Sequence, residues 1–217
     1  MAMVEAVAIA AAVVAMIYGL IRIAVRPEKD PLALSLQGRM GYVYAAQAVT
    51  AMLLMHLFFT MPFLFRLGIK DYWPFIVLAV SLAGVGLAGW LDKKNLKVLG
   101  EPILNTATIL PAAVALAIWA VDSKADHAMV TLVVGLVYLM ISYTHRSLVA
   151  GLAGILFGNL ALWLFYDKFE GFSFLEHPQL WLIPPAISVL IAAQISKHRI
   201  SQSQLALIRY ILSLIHI

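Results

Sequence analysis

The sequence predicts an all-α fold, a polytopic transmembrane helix bundle of seven spans plus the start of an eighth, with its N-terminus outside. Three observations carry that prediction. Hydrophobic residues make up 63% of the chain and charged residues 12%, against roughly 45–50% and about 25% in soluble domains. Seven stretches, each close to the about 20 apolar residues that cross roughly 30 Å of hydrocarbon with every backbone hydrogen bond closed internally, have no Asp, Glu, Lys or Arg in their interiors. The remaining charges collect in the short connections between them.

Taken in order, the spans are expected near residues 4–21, 41–65, 72–91, 102–121, 128–144, 147–166 and 178–196, and an eighth apolar run starts near residue 204. No basic region precedes the first stretch, and Arg22 and Arg26 follow it, so it reads as an uncleaved span and not as a signal peptide. The longest connection, from Arg22 to Met40, contains Pro27 and Pro31. Its 32–36 stretch fits either a short interfacial helix or an ordinary loop. Residues 1–211 therefore read as one membrane bundle with no separable soluble domain.

Basic residues set the orientation, because Lys and Arg are retained on the cytoplasmic side of short loops. With the N-terminus outside, the inner connections hold Arg22, Arg26, Lys29, Arg39, Lys93, Lys94, Lys97, Arg146, Lys197 and Arg199. The outer loops hold only Arg66, Lys70, Lys124 and Lys168. Amphipathic aromatics favour the headgroup level, and Tyr42, Tyr72, Trp73, Trp90, Trp119, Tyr143, Trp163, Tyr166 and Trp181 all sit near expected span ends.

This bias accounts for the net charge of +4 and the pI near 9.4 without nucleic acid as a partner, since no basic run is longer than Lys93-Lys94. The expected partners are the lipid bilayer and further helices. The absence of cysteine excludes disulfides, thiolate metal sites and cysteine nucleophiles. No H-E-x-x-H, phosphate loop or G-x-S-x-G occurs. No catalytic residue, metal ligand or cofactor is assigned.

The last six residues, Leu212-Ser213-Leu214-Ile215-His216-Ile217, resemble the translation of a transposon end used in sequencing-library preparation. On that resemblance 212–217 is a non-native tail, the natural chain continues past Ile211 and His216 is no ligand; the alternative is a short natural tail. In the body of the chain, Tyr72-Trp73-Pro74-Phe75-Ile76-Val77 with Ala83-Gly84-Val85-Gly86-Leu87, and Glu176-His177-Pro178-Gln179-Leu180-Trp181-Leu182-Ile183-Pro184-Pro185, resemble multi-span membrane proteins of planctomycete-like bacteria. The resemblance covers two spans and their flanks. It implies the bacterial inner membrane and no activity.

Gly84-Val85-Gly86-Leu87-Ala88-Gly89 fits the dinucleotide pattern G-x-G-x-x-G. Asp92-Lys93-Lys94-Asn95 end the segment within a turn, too soon for the crossover helix that the pattern requires. Gly84 is instead expected at a close helix approach, as are Gly151, Gly154 and Gly158, which share one helical face. Asn159 borders that face and is expected to bond a neighbouring helix or to line a path. His56 is the ionisable side chain well inside the second span, with Met52 and Thr60 one turn away and no carboxylate partner. It is expected to be a neutral, satisfied core histidine. Gln47, Asn105 and Gln194 are further polar residues of the spans.

Pro111 in the fourth span and Pro184-Pro185 in the seventh each remove a helical hydrogen bond and are expected to kink or break their helices. The third and sixth spans share Gly-Leu-Ala-Gly at 86–89 and 151–154, each followed one span later by a proline-bearing helix. That is either chance in Ala-, Gly- and Leu-rich segments or an inverted repeat of the kind transporters use. Three functions are then open. A structural or sensory membrane part of a larger protein requires polar residues buried singly. A transporter or channel requires His56, Asn105, Asn159 and Gln194 to converge beside Pro111 and Pro184. A membrane enzyme requires catalytic groups beyond Ile211.

Overall fold

Residues 2–65, 69–121, 123–169 and 176–195 are described in the computed structural model. Apolar character over whole helical lengths leaves the backbone no partners but its own, and the described residues form helices and no strand. The helices are α1 (Ala2–Val25), α2 (Leu36–Thr60), the single turn α3 (Pro62–Phe65), α4 (Ile69–Lys93), α5 (Lys97–Ala117), α6 (His127–His145), α7 (Leu148–Tyr166) and α8 (Pro178–Ile195). Six of them, α1, α2, α4, α5, α6 and α7, are long and apolar enough to cross a membrane. The chain is thus compatible with an integral membrane protein. The eighth apolar run, the tail at 212–217, and Arg66, Lys197 and Arg199 lie outside the described residues.

Helix ends follow local chemistry, and several helices extend beyond the expected spans. Between α1 and α2, Pro27–Lys29 make a 3-10 turn and residues 32–35 are not helical, so no interfacial helix forms there. Asp30 organises this loop by accepting from Leu32 N (3.0 Å), Leu34 N (2.8 Å) and the Tyr42 hydroxyl (2.9 Å). Burial pushes its carboxyl up, but those hydrogen bonds and the charge of Arg39 outweigh it and hold it below the usual range. Ser35 caps α2 by accepting from Gly38 N. The helix therefore begins at Leu36, ahead of the 41 expected, and takes in Arg39, whose guanidinium donates to Ala24 O at 3.0 Å. α4 starts at Ile69, but Tyr72 leaves helical geometry at φ −118° and ψ 20°. Pro74 therefore stands in the first turn of the helix that follows, where a missing N–H costs little. α5 begins at Lys97, and so includes Glu101.

The molecule divides into two compact units, 1–125 and 126–217. In unit 1, α1 pairs with α2 and α4 with α5, and α5 also packs on α1 and α2. Ala24, Val43 and Val98 are buried together where α1, α2 and α5 meet. The α4–α5 turn is closed by Leu96 N donating to Leu91 O, with Asn95 left-handed at φ 57°. This is the αL capping geometry that asparagine tolerates well. Gly84 and Gly100 lie where α4 and α5 approach: a Cβ on Gly84 would stand 3.0 Å from Ala107 Cβ, and one on Gly100 would stand 3.4 Å from Ala88 O.

In unit 2, α6 and α7 form a hairpin around a single left-handed residue, Arg146 at φ 51°. Ser147 caps α7 through Ala150 N, and Ser142 Oγ donates to Ser147 O at 2.9 Å. The two backbones meet at Gly135. A Cβ there would be 2.9 Å from Gly158 N and 3.1 Å from Gly154 O. A Cβ on Gly154 would meet Leu139 at 2.8 Å and one on Gly151 would meet Ser142 Oγ at 2.8 Å, whereas one on Gly158 would meet nothing within 4 Å. At the far end of the hairpin Asp126 caps α6 through Met129 N and pairs with Lys168. The hydrogen bond from Lys168 holds the Asp126 carboxyl below its usual range.

Two predictions follow from the hairpin. Gly135→Ala forces the helices apart and should destabilise the protein by about 1–3 kcal/mol, as overpacking does, while Gly158→Ala should change stability by less than about 0.5 kcal/mol; reversible unfolding in mixed micelles measures both. Because the folded Asp126 is depressed, its contribution is present at neutral pH and is lost only as pH falls below about 4. Asp126→Asn should keep the cap and lose that acid-side dependence, read from melting temperature against pH.

Candidate functional site

A proline at position i cannot donate to the carbonyl at i−4, and in an apolar medium that orphaned oxygen is costly. Pro111 lies inside α5 and releases Ala107 O at the middle of the helix. The helix nonetheless runs on to Ala117. Ser81 Oγ on α4 donates to Ala107 O at 2.6 Å, and both residues are buried, at 0% and 1% exposure. Pro185 in α8 releases Trp181 O in the same way, and the indole Nε1 of Trp163 on α7 donates to it at 3.0 Å. Both helices continue through Pro111 and Pro185, and a neighbouring helix supplies the donor that each released carbonyl lacks, as in membrane helices generally. Pro184 O accepts from Ser188 Oγ at 2.8 Å one turn on.

At the middle of unit 1, polar side chains pair between helices. Thr106 Oγ on α5 donates to Gln47 Oε1 on α2 at 2.8 Å, and Asn105 Nδ2 donates to the Tyr44 hydroxyl at 2.8 Å. Both are hydrogen bonds between helices, of a kind worth roughly 0.6–2 kcal/mol in membranes. Beside them α2, α4 and α5 frame a recess of about 450 Å³, whose lining includes Gln47, Thr50, Ala51, Gly84, Thr106 and Leu110. Among the described residues no ionisable side chain lines it.

His56 also lies on α2, toward its C-terminal end. Among the described residues its Nε2 is buried without a partner, so the ring is not the satisfied one expected; its backbone oxygen accepts from Thr60 Oγ. In unit 2, Asn159 on α7 is 7% exposed and its Nδ2 donates to Ile155 O at 2.8 Å and to Ser188 Oγ at 3.1 Å. Its Oδ1 has no partner among the described residues. Ser188 passes the link on to Pro184 O, so Asn159, Ser188 and Pro184 form one short chain between α7 and α8. Gln194 falls in α8, and its side chain lies outside the described residues. Asn105 and His56 belong to unit 1 and Asn159 to unit 2. Among the described residues no three His, Cys, Asp or Glu side chains gather to hold a metal ion.

The sequence reading missed Tyr44, Ser81, Thr106 and Ser188, and placed Trp163 only at the membrane interface. A proline four residues downstream marks Ala107 and Trp181 as carbonyls in need of a donor. Which residue provides it depends on which helices pair. No family model, curated protein or solved structure matches the chain.

Ser81→Ala leaves Ala107 O buried and unpaired and should cost about 1–3 kcal/mol. Pro111→Ala restores an N–H to that carbonyl, so adding it to Ser81→Ala should recover most of the loss. A double-mutant cycle by unfolding in mixed micelles measures the coupling, and additive single effects would contradict this pairing.

Proposed function

We propose that the chain is a membrane-embedded structural or sensory module, a bundle of seven spanning helices in the bacterial inner membrane with its N-terminus outside. The observation that carries this reading is how the polar side chains of the helices are used. Ser81 and Trp163 complete the backbone of proline-bearing helices, and Asn159 and Thr106 tie neighbouring helices together. They work as packing elements within each unit. α8, with 18 residues around Pro184-Pro185, is the seventh span of this reading.

A second reading, a transporter or channel, is favoured by the recess beside Gly84 and Leu110, next to Pro111. It requires His56, Asn105, Asn159 and Gln194 to meet a water path. The chain has no cysteine, so single cysteines at these four positions can be tested directly in native membranes with a water-soluble thiol reagent. The structural or sensory reading expects all four to resist labelling, and the carrier reading expects them to react together. For topology, reporters fused after Lys97 and Lys197 should register the cytoplasm and one after Lys124 the outside; two successive reporters on one side would contradict the seven-span arrangement.

A further inference from the structure

The recess of unit 1 lies at the middle of α2 and α5, and its volume of about 450 Å³ falls within the roughly 300–1,000 Å³ typical of small-molecule sites. Its walls are almost wholly apolar, and three polar side chains reach it: Gln47, Thr50 and Thr106. Their hydrogens are unequally available. The Thr50 hydroxyl donates to Ala46 O at 2.8 Å and the Thr106 hydroxyl donates to Gln47 Oε1 at 2.8 Å, so both are committed within the protein. The same bond engages the oxygen of the Gln47 amide and leaves its N–H groups without a protein partner among the described residues. An amide N–H in an apolar recess needs an acceptor. The lining offers no cation to a carboxylate or phosphate and no anion to an amine, and a charged group brought there would lose its hydration without compensation.

We propose that this recess binds a neutral, lipid-soluble ketone or quinone, with its hydrocarbon part against α4 and α5 and its carbonyl oxygen on the side-chain N–H of Gln47. Depth distinguishes this ligand from a bilayer phospholipid. The ester carbonyls of a phospholipid sit at the edge of the hydrocarbon, about 15 Å from a site at mid-span. Gly84 contributes to the space by having no side chain at the wall. Ala51 forms part of the α2 side, is exposed, and stands apart from the α4–α5 contact. The inference goes beyond the module reading and rests on it in one respect, the placement of unit 1 in a bilayer.

The test uses the full chain in lipid nanodiscs and 4-decylbenzophenone, a neutral ketone that labels adjacent C–H bonds on irradiation. Recovery of the chain in the membrane fraction is checked first, so failure of the bilayer placement appears separately from failure of binding. Saturable labelling is expected within the lining, at residues 47–54 and at the facing 76–84 and 103–110, because the reactive ketone carbon lies beside Gln47. The methylene analogue 4-decyldiphenylmethane should compete about fivefold more weakly, the effect of one net hydrogen bond. Gln47→Leu should abolish that preference, and Ala51→Phe should abolish saturable labelling. Non-saturable labelling spread over lipid-facing positions of all helices would overturn the proposal, as would equal competition by ketone and methylene compound in the unsubstituted protein.

Discussion

The structure depends on one constraint: a main-chain carbonyl buried in apolar surroundings is costly without a donor. Regular helices meet it by themselves, and proline is where they fail. Pro111 and Pro185 each stand well within a helix that continues past them, because Ser81 and Trp163 reach across from the paired helix to the released oxygen. The prolines thereby turn two helix pairs, α4 with α5 and α7 with α8, into units whose partners are specified by a hydrogen bond as well as by shape. Packing reinforces the first at Gly84 and Gly100. The second adds the link from Asn159 through Ser188 to Pro184 and the ring contact between Trp163 and Trp181, with centroids 6.2 Å apart.

Lipid chains are as apolar as leucine, so no hydrophobic gain distinguishes one helix contact from another inside the bilayer. Close approach and polar pairing must decide. The α6–α7 hairpin uses close approach, with Gly135 against the backbone of Gly154 and Gly158. The α2–α5 contact uses polar pairing, through Gln47 with Thr106 and Tyr44 with Asn105. The recess lies beside that polar pairing and is lined by Gln47, Thr106 and Gly84 among others.

Helical class and the approximate positions of the long apolar helices were legible in the sequence, because bilayer length and the exclusion of charge are one-dimensional signals. Span ends were less so. The start of α2 at Leu36 turns on the Ser35 cap, a signal present in the sequence but overshadowed by the hydropathy window, and the start of α5 at Lys97 comes from a helix extending into polar surroundings. The repeated Gly-Leu-Ala-Gly runs drew attention to corresponding spans, yet Ser81 precedes its run whereas Trp163 follows its own, so the two carbonyl caps occupy different places along α4 and α7. The polar residues were legible singly. Their partners were not, since Asn105 and Tyr44 are 61 positions apart and only helix pairing brings them together.

The most direct measurement is the carbonyl carbon shift of Ala107, observed by solid-state NMR in lipid bilayers. Ala107-Thr108 is the single Ala-Thr step in the sequence, so carbonyl-labelled alanine combined with nitrogen-labelled threonine isolates this one peptide group. A carbonyl held by Ser81 should resonate in the hydrogen-bonded range and move toward the free range in Ser81→Ala, while other alanine carbonyls stay in place. An Ala107 resonance already in the free range, or one indifferent to the loss of the Ser81 hydroxyl, would contradict the account.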